Sequence, residues 1–525
     1  MNVRAAAMAG PIDPASLANA QKVIAFASMC VGMFIALLDI QIVSASLRDI
    51  GGGLSAGVDE TAWVQTSYLI AEIVVIPLSG WLSRVFSTRW LFAASAAGFT
   101  LTSLLCGGAW DIQSMIVFRA LQGFLGGSMI PMVFTTAFVF FSGKQRVVAA
   151  ATIGALASLA PTFGPTLGGW ITDHWSWHWL FFINLVPGLF VTFVVPMLVN
   201  IDAPDLSLLR RADYPGMVLL AVFLGCLEYT LEEGPRWNWF SDSTITTTAW
   251  LSGICGIAFI IRSLIYAHPL VDLRALGDRN FALGSLFSFV TGIGLFSTIY
   301  LTPLFLGRVE GYSALQIGQA VFSTGIFQIL SIPLYAVLAQ RFDLRWILMV
   351  GMALFAVSMW EFTPITHDWG AHQLLLPQAL RGMAQQLAVP PVVTLTLGGL
   401  PPARLKLASG LFNLMRNLGG AIGIAVCATI LNDRTNLHFY RLAEHLNATN
   451  ETMNQWLAQA GNHLADVGDA DGQLQQLWRL AFREAQTLSY ADAFFAIGVC
   501  FVIATAMVPL MRKVAPPPTP SADAH

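Results

Sequence analysis

Six ionisable side chains stand where the surrounding sequence is apolar enough to lie out of water: Asp39, Glu72, Arg119, Glu228, Arg381 and Arg416. A charge in such a setting costs several kcal/mol unless it is paired, so these groups are the first candidates for binding and proton exchange. A carboxylate can take up and release a proton, whereas an arginine keeps its charge and serves as a fixed counter-ion. The histidines fall in loops, at the ends of apolar runs or at the C-terminus, which argues against a buried histidine relay and against a metal site. No GxxxxGK[ST] stretch offers a nucleotide site, no His/Asp/Glu/Cys cluster suggests a membrane enzyme, and no cofactor is expected.

The elements that position these groups are long apolar helices. Apolar residues make up 56% of the 525 and charged residues 11%, against about 25% charge in a soluble domain. Mean hydropathy is +0.65. About 20 apolar residues span a bilayer, and fourteen such runs are present: 22–46, 61–82, 90–109, 113–137, 147–170, 178–199, 214–233, 245–266, 281–304, 315–338, 346–363, 372–397, 408–431 and 489–511. With the N-terminus in the cytoplasm, every lysine (Lys22, Lys144, Lys406, Lys513) and most arginines fall on the cytoplasmic side, while the short outer loops hold Arg48, Arg236 and Arg308. That bias predicts both termini on the cytoplasmic side of a multi-pass protein of the cell inner membrane. Residues 1–21 do not resemble a cleavable signal, so the first run is expected to act as an uncleaved anchor. All cysteines lie within apolar runs, and the net charge of −3 implies no nucleic-acid partner.

The chain repeats itself. Residues 76–92 (IPLSGWLSRVFSTRWLF) align with 332–348 (IPLYAVLAQRFDLRWIL) at an offset of 256, and Arg119-Ala-Leu-Gln-Gly123 aligns with Gln378-Ala-Leu-Arg-Gly382 at 259. Duplicated halves in a membrane chain point to a transporter with its substrate path between them. The expected division is a cytoplasmic segment 1–21, a six-helix bundle 22–199, a linker 200–213, two extra helices 214–266 outside the repeat, a linker 267–280, a second bundle 281–511 and a disordered tail 512–525. Within the second bundle a long polar outer loop, 432–488, is expected to carry two surface helices, because Leu442, Leu446, Leu474, Leu477 and Leu480 recur at helical spacing. Asn-Ala-Thr and Asn-Glu-Thr at 447–452 match the glycosylation pattern by chance.

Several motifs resemble those of the major facilitator superfamily, and more narrowly the fourteen-helix drug:proton antiporters of the EmrB/QacA type. They are LLDIQIVSASL at 37–47, AWVQTSY at 62–68, Arg119 to Gly123, APTFGPTLGG at 160–169, WHWLFFIN at 177–184, and ASGLFNLMRNLGG at 408–420, which contains Asn413 and Arg416. The resemblance implies an all-α fold of two six-helix repeats plus two helices. It also implies that Gly164, Pro165, Gly168 and Gly169 form an antiporter hinge packing against the other half. The motif GxLaDrxGrk between helices two and three departs from the family: here it reads Gly80-Trp-Leu-Ser-Arg84-Val-Phe-Ser-Thr-Arg89. The usual Asp is Arg84 and the second Gly is Ser87, which puts the inner-gate ion pair in doubt. Arg89 and Arg345 could still cap helix ends at that face.

In the family's fold helices one, two and four are neighbours, so the resemblance brings Asp39, Glu72 and Arg119 together. One arginine among two carboxylates can hold one ionised and leave the other to exchange protons. Glu72, nearest the middle of its run, is the best carrier. A purely structural role for Asp39 and Arg119 stays open. Arg119 corresponds to Gln378 and Gln122 to Arg381, so each half aims one arginine inward from equivalent helices. Arg381 and Arg416 could meet an anionic substrate or a carboxylate across the cavity. Glu228 is a further candidate on a helix outside the repeat, whereas Glu232 and Glu233 are expected to be interfacial and solvated. The implied function is export of lipophilic or amphipathic compounds in exchange for protons, with membrane lipid around the bundle and a periplasmic adaptor and outer-membrane channel as candidate partners. A dedicated metabolite or siderophore exporter remains an alternative. A receptor or scaffold on a dead transporter fold would be expected to have lost the intramembrane charges.

Overall fold

A computed structural model describes residues 19–266, 269–444 and 470–513. Among the described residues there is no strand, and fourteen long helices carry the fold. They are α1 (Asn19–Ala45), α2 (Val58–Phe86), α3 (Thr88–Gly107), α4 (Ile112–Phe140), α5 (Gly143–His174), α6 (Leu185–Leu198), α7 (Tyr214–Glu233), α8 (Ser243–Ile265), α9 (Arg279–Arg308), α10 (Ala314–Arg341), α11 (Leu344–Glu361), α12 (Leu375–Leu397), α13 (Pro402–Glu444) and α14 (Ala470–Met507). Thirteen helical spans are long and apolar enough to cross a membrane, with a four-residue helix at Trp179–Phe182 extending α6. The fourteenth helix, α12, carries Gln378, Arg381, Gln385 and Gln386, and all four are buried inside the bundle. A helix can hold that much polarity at bilayer depth only when its polar face looks at protein.

Polar residues at the run ends set the helix starts. Asp111 accepts from the Ser114 amide at 2.7 Å while Ser114 Oγ accepts from the Asp111 amide at 3.3 Å, a reciprocal cap on α4. The Ser114 amide donating to it holds the Asp111 carboxyl below the usual range. Asp242, Asp278 and Asp343 cap α8, α9 and α11 in the same way.

The repeat is visible in the packing. A Cβ on Gly123 of α4 would strike the Tyr68 backbone of α2, and a Cβ on Gly382 of α12 would strike the Thr324 backbone of α10. The two glycines are the last residues of the aligned RALQG and QALRG stretches, so the motif glycine is the point where two backbones touch. Gly164 of α5 closes on Gln41 of α1. Its counterpart, Gly423 of α13, closes on Ser297 of α9, and a Cβ there would lie 2.5 Å from the Ser297 hydroxyl. Each half is thus the same set of helix pairs.

α7 and α8 stand outside that symmetry. α7 packs on α2 and α13, one helix from each half, and α8 lies against α7. Trp63 of α2 stacks on Tyr229 of α7, with ring centroids 5.4 Å apart. The long polar segment differs from its expected form. Its described parts are continuations of α13, which runs 43 residues, and α14, which runs 38. At 1.5 Å per residue α13 is about 65 Å long, roughly twice a hydrocarbon core. The extensions pair with each other instead of forming separate surface helices: His438 Nε2 lies 2.9 Å from Asp492, Thr435 donates to Ser489 at 3.0 Å, and Phe439 packs on Trp478 and Phe482. Leu446, the glycosylation-like triplets and the tail 514–525 lie outside the described residues.

Candidate functional site

Asp39 and Arg119 are both fully buried, and Arg119 Nη1 donates to Asp39 Oδ2 at 2.5 Å. The pair sits in a closed polar cage. Gln122 Nε2 and Asn184 Nδ2 donate to the other carboxylate oxygen at 3.1 and 2.6 Å, and both also reach Ser103 Oγ. Arg119 Nε donates to the Val64 carbonyl at 3.1 Å, and the guanidinium lies 4.3 Å above the Tyr68 ring. One helical turn separates Arg119 from Gln122, so both address the same carboxylate. Asn184, quoted within a motif but not singled out from sequence, is the third donor; a polar residue in an otherwise apolar run was the signal available.

Glu72 lies elsewhere. It is buried in α2, but it forms no hydrogen bond or ion pair with a described residue, Arg119 included. The expected triad therefore separates into a hydrogen-bonded Asp39–Arg119 pair, in which Arg119 Nη2 is left unmatched, and a carboxyl with no hydrogen-bond partner among the described residues. Glu72 instead lines a cavity of about 80 Å³ between the halves, together with Gln65, Glu228, Glu232, Arg416 and Asn417. That volume suits water and not a drug-sized molecule. Glu232, expected to be solvated, lines this cavity as well, and Glu233 is buried and bonded to Trp237 Nε1 at 3.1 Å. α7 docks in the seam between α2 and α13, which turns its glutamate-bearing end inward. The cavity shares Gln41, Gln65, Phe296 and Ile424 with an opening of about 490 Å³ towards the far ends of α1, α5 and α9. A larger apolar groove of about 590 Å³ between α1 and α5 has no charged side chain in its lining and no part in this chemistry.

The second half differs in kind. Arg381 is fully buried and donates to Thr324 Oγ1 at 2.9 Å. It has no carboxylate partner among the described residues, and its Nε and Nη1 are unmatched. Gln378 accepts from the same Thr324 hydroxyl. Gln328 stands at the repeat equivalent of Glu72 and Leu295 at that of Asp39, so the acidic groups did not survive in both copies. Arg416 lines the cavity with its guanidinium 5.7 Å from the Phe134 ring, and Asn413 donates to the Ser409 carbonyl at 2.9 Å.

At the end that carries the lysines the halves are shut. A Cβ on Gly80 would lie 2.6 Å from the Lys406 carbonyl oxygen, so α2 and the start of α13 meet backbone to backbone. Thr135 and Ser409 hydroxyls are 2.8 Å apart across the halves. The ion pair doubted from the motif is present in a displaced form. Asp202, from the linker after α6, accepts from the Thr88 amide at 2.9 Å, caps α3, and pairs with Lys406 of the second half. Lys406 also donates to the Ser83 carbonyl at 3.2 Å. Arg84 itself is exposed, and Arg89 is buried with its guanidinium 5.1 Å from the Trp90 ring. Arg345 pairs with Asp343 at 2.9 Å and donates to the Met511 carbonyl at 3.0 Å, closing the end of the last helix. Ser87, the second departure, has φ +68° and ψ 153°, a backbone region that favours glycine.

The antiporter-motif glycines face a different neighbour from the one expected. Gly164 and Gly168 of α5 close on Gln41 and Ile42 of α1 within the same half, while Pro165 lines the 490 Å³ opening and Gly169 is buried. Their neighbours on α5 meet the other half: Phe163 packs edge-on against Phe322 of α10 at 5.0 Å, and Thr166 presses on Gly318. With i and i+4 spent on α1, the positions a third of a turn away are left to meet α10.

Two equivalent helix bundles enclosing an ionisable cavity, sealed at one end and open towards the other, define a membrane carrier. The chain belongs to the Major Facilitator Superfamily, whose profile matches residues 29–424 and 303–516. It is 36% identical over 93% of its length to 96% of the colistin resistance protein EmrB of Acinetobacter baumannii, 30% identical over 93% to 95% of the fatty acid resistance protein FarB of Neisseria gonorrhoeae, and 31% identical over 83% to 85% of the multidrug export protein EmrB of Escherichia coli. Its fold is similar to the proton:xylose symporter XylE (TM-score 0.57, 13% identity, 94% of this chain and 96% of that one) and to the human organic anion transporter MFSD10 (TM-score 0.55, 14% identity, 91% and 99%). At such identities the likeness concerns the fold. The chain is thus an EmrB-like, multi-pass member of a transporter family, and no enzyme activity is assigned to it.

Proposed function

We propose that this protein expels lipophilic or amphipathic toxic compounds from the cell in exchange for protons, by alternating access across the inner membrane. The lysine-bearing end faces the cytoplasm, both termini lie on that side, and the α13–α14 extensions project into the periplasm, where an adaptor leading to an outer-membrane channel would dock. The multidrug export proteins among the relatives support efflux.

The observation that carries the coupling scheme is the contrast between two buried carboxylates. Asp39 has its charge matched by Arg119 and both oxygens occupied by donors, so a proton arriving there would have to displace a hydrogen bond. Glu72 has no protein partner and faces the inter-half cavity, where it can meet a proton from one side and release it to the other. The Asp39–Arg119 pair then fixes α1 to α4 as one rigid unit, while the bundles rock about the α5–α10 contact. Opening the cytoplasmic end requires the Asp202–Lys406 pair to part.

The test is a pH-gradient assay in everted vesicles against a panel of uncouplers, antibiotics and fatty acids. Wild-type protein is expected to collapse the gradient on addition of at least one compound. Glu72→Gln is expected to bind that compound and fail to move protons. Normal proton movement by Glu72→Gln would remove Glu72 from the mechanism.

A further inference from the structure

The cavity between the halves holds more carboxylate than its own arginine can match. Glu72, Glu228 and Glu232 line it, and Arg416 is the cation among its lining residues. The next guanidinium, Arg119, is already bound to Asp39. Arg416 reaches the cavity from α13, whereas Glu228 and Glu232 both stand on α7. Gln41, Gln65 and Asn417 are the neutral polar groups facing it from α1, α2 and α13. The α7 side of the cavity is therefore its negative side. Glu228 is also under 10% exposed, and its Oε2 has no hydrogen-bond partner among the described residues, although the residue lines the cavity. Native structures leave few such groups, and an unmatched acceptor beside a cavity calls for a water, an ion or a ligand to complete it.

We infer that Glu228 and Glu232 of α7, a helix outside both repeats, form a binding site for an organic cation, with protons and the cation competing for the same carboxylates. The inference rests on the efflux reading and adds a substrate class to it. The charge balance gives the reason. With Arg416 offsetting one carboxylate, two remain that cannot both be ionised in a small, water-poor space without a positive partner. A proton on each satisfies them in one state. In the other state a single lipophilic cation replaces one of those protons and the second carboxyl keeps its own, and the cation's apolar body fits walls made by Leu69, Leu295, Phe296 and Ile424. The 80 Å³ space is closed around the carboxylates, so binding must draw on the adjoining 490 Å³ opening, which supplies the room.

The experiment uses the purified full chain in detergent and three aryl probes, measured by equilibrium dialysis: tetraphenylphosphonium and tetraphenylborate, which share a shape and differ in charge, and the smaller neutral triphenylphosphine oxide. The cation is expected to bind at least about tenfold tighter than the neutral probe. Glu228→Gln and Glu232→Gln are each expected to remove most of that preference while leaving the neutral probe unchanged. Where Glu228→Gln unfolds, as shown by gel filtration, Glu232→Gln decides the matter, since Glu232 lies at the more open part of the wall. Equal binding of cation and neutral probe, a preference for tetraphenylborate, or an unaltered cation preference in a folded Glu232→Gln would overturn the assignment. Efflux is scored separately in vesicles: a wild-type protein that exports compounds yet shows no cation preference refutes the substrate class alone.

Discussion

Asp39→Asn tests whether the Asp39–Arg119 pair is a structural tie. The substitution keeps shape and removes charge. Both partners are fully buried, so solvent screening gives no relief. Three donors converge on the carboxylate, from Arg119, Gln122 and Asn184. An asparagine offers one oxygen in place of two, so at least one donor is stranded and Arg119 keeps an uncompensated charge. Removing one member of a buried pair destabilises by about 3–5 kcal/mol in soluble proteins. Within a membrane the unfolded reference also finds partners, and single hydrogen bonds there average about 0.6 kcal/mol, so about 2–3 kcal/mol is the expected loss. Arg119→Met, which leaves Asp39 unpaired, should lose a similar amount. The double variant should recover much of it, because replacing both charges removes the stranded group. The assay is a double-mutant cycle on denaturant unfolding in detergent, followed by fluorescence. A coupling energy below about 0.5 kcal/mol would refute the reasoning, and so would a stable Asp39→Asn single variant.

Other outcomes follow from the same geometry. Glu72→Gln, with no hydrogen bond to lose, should change unfolding by under about 1 kcal/mol while abolishing proton-coupled efflux, the reverse of the Asp39→Asn pattern; a large loss of stability would place Glu72 among the structural groups. Ser87→Gly should stabilise the protein by about 1 kcal/mol, because Ser87 has φ +68° and makes only a 3.4 Å contact to the Trp90 amide; a lowered unfolding midpoint would contradict that. Asp202→Ala removes a helix cap worth about 1 kcal/mol and a half-screened ion pair worth up to about 1 more. Maleimide labelling of a cysteine placed at Ser409, now buried against Thr135, should then speed up roughly tenfold, and an unchanged rate would show that the pair does not hold the gate. Gly382→Val should lose about 1–3 kcal/mol through overpacking against the Thr324 backbone, read as a lowered unfolding midpoint, and wild-type stability there would mean that the α10–α12 contact yields easily.

Much of the fold was legible because duplication writes itself twice. The offsets of 256 and 259 predict that whatever touches in one half touches in the other, and Gly123–Tyr68 against Gly382–Thr324 satisfies this residue by residue. The Asp39–Arg119 pair was legible for a different reason: a charge at bilayer depth demands a partner, and few were available. What the sequence hid depends on rotation about helix axes and on loop paths. Nothing in the order of residues says that Glu232 turns inward while Trp237 covers Glu233, because that follows from where α7 docks on α2 and α13. Nor does a polar linker reveal that Asp202 folds back to the start of α3, replacing a charge missing three residues after Trp81. Leu442, Leu474, Leu477 and Leu480 do lie on helices, but periodicity cannot tell a separate surface helix from the continuation of a membrane one.

The two halves share a backbone plan and differ in charge, and that difference bears on how such a machine can be driven. The first half keeps Asp39 and Glu72, and the second has Leu295 and Gln328 at the same places. The second half instead has Arg381, which has no carboxylate partner among the described residues and donates a single hydrogen bond to the Thr324 hydroxyl. Had both copies kept their acids, protonation would act alike on either side of the cavity and would favour neither opening. If the cavity carboxylates of α2 and α7 exchange protons as proposed, a proton changes the charge on that wall only, opposite the fixed positive charge of Arg416 on α13. The attraction between the walls then depends on protonation, by an amount that grows as the cavity dries. An equilibrium between two arrangements moves only when a ligand has different free energies in each. A single-sided acid facing a permanent cation supplies such a difference. The α7 helix, placed where the two halves meet, adds its glutamates to the same wall.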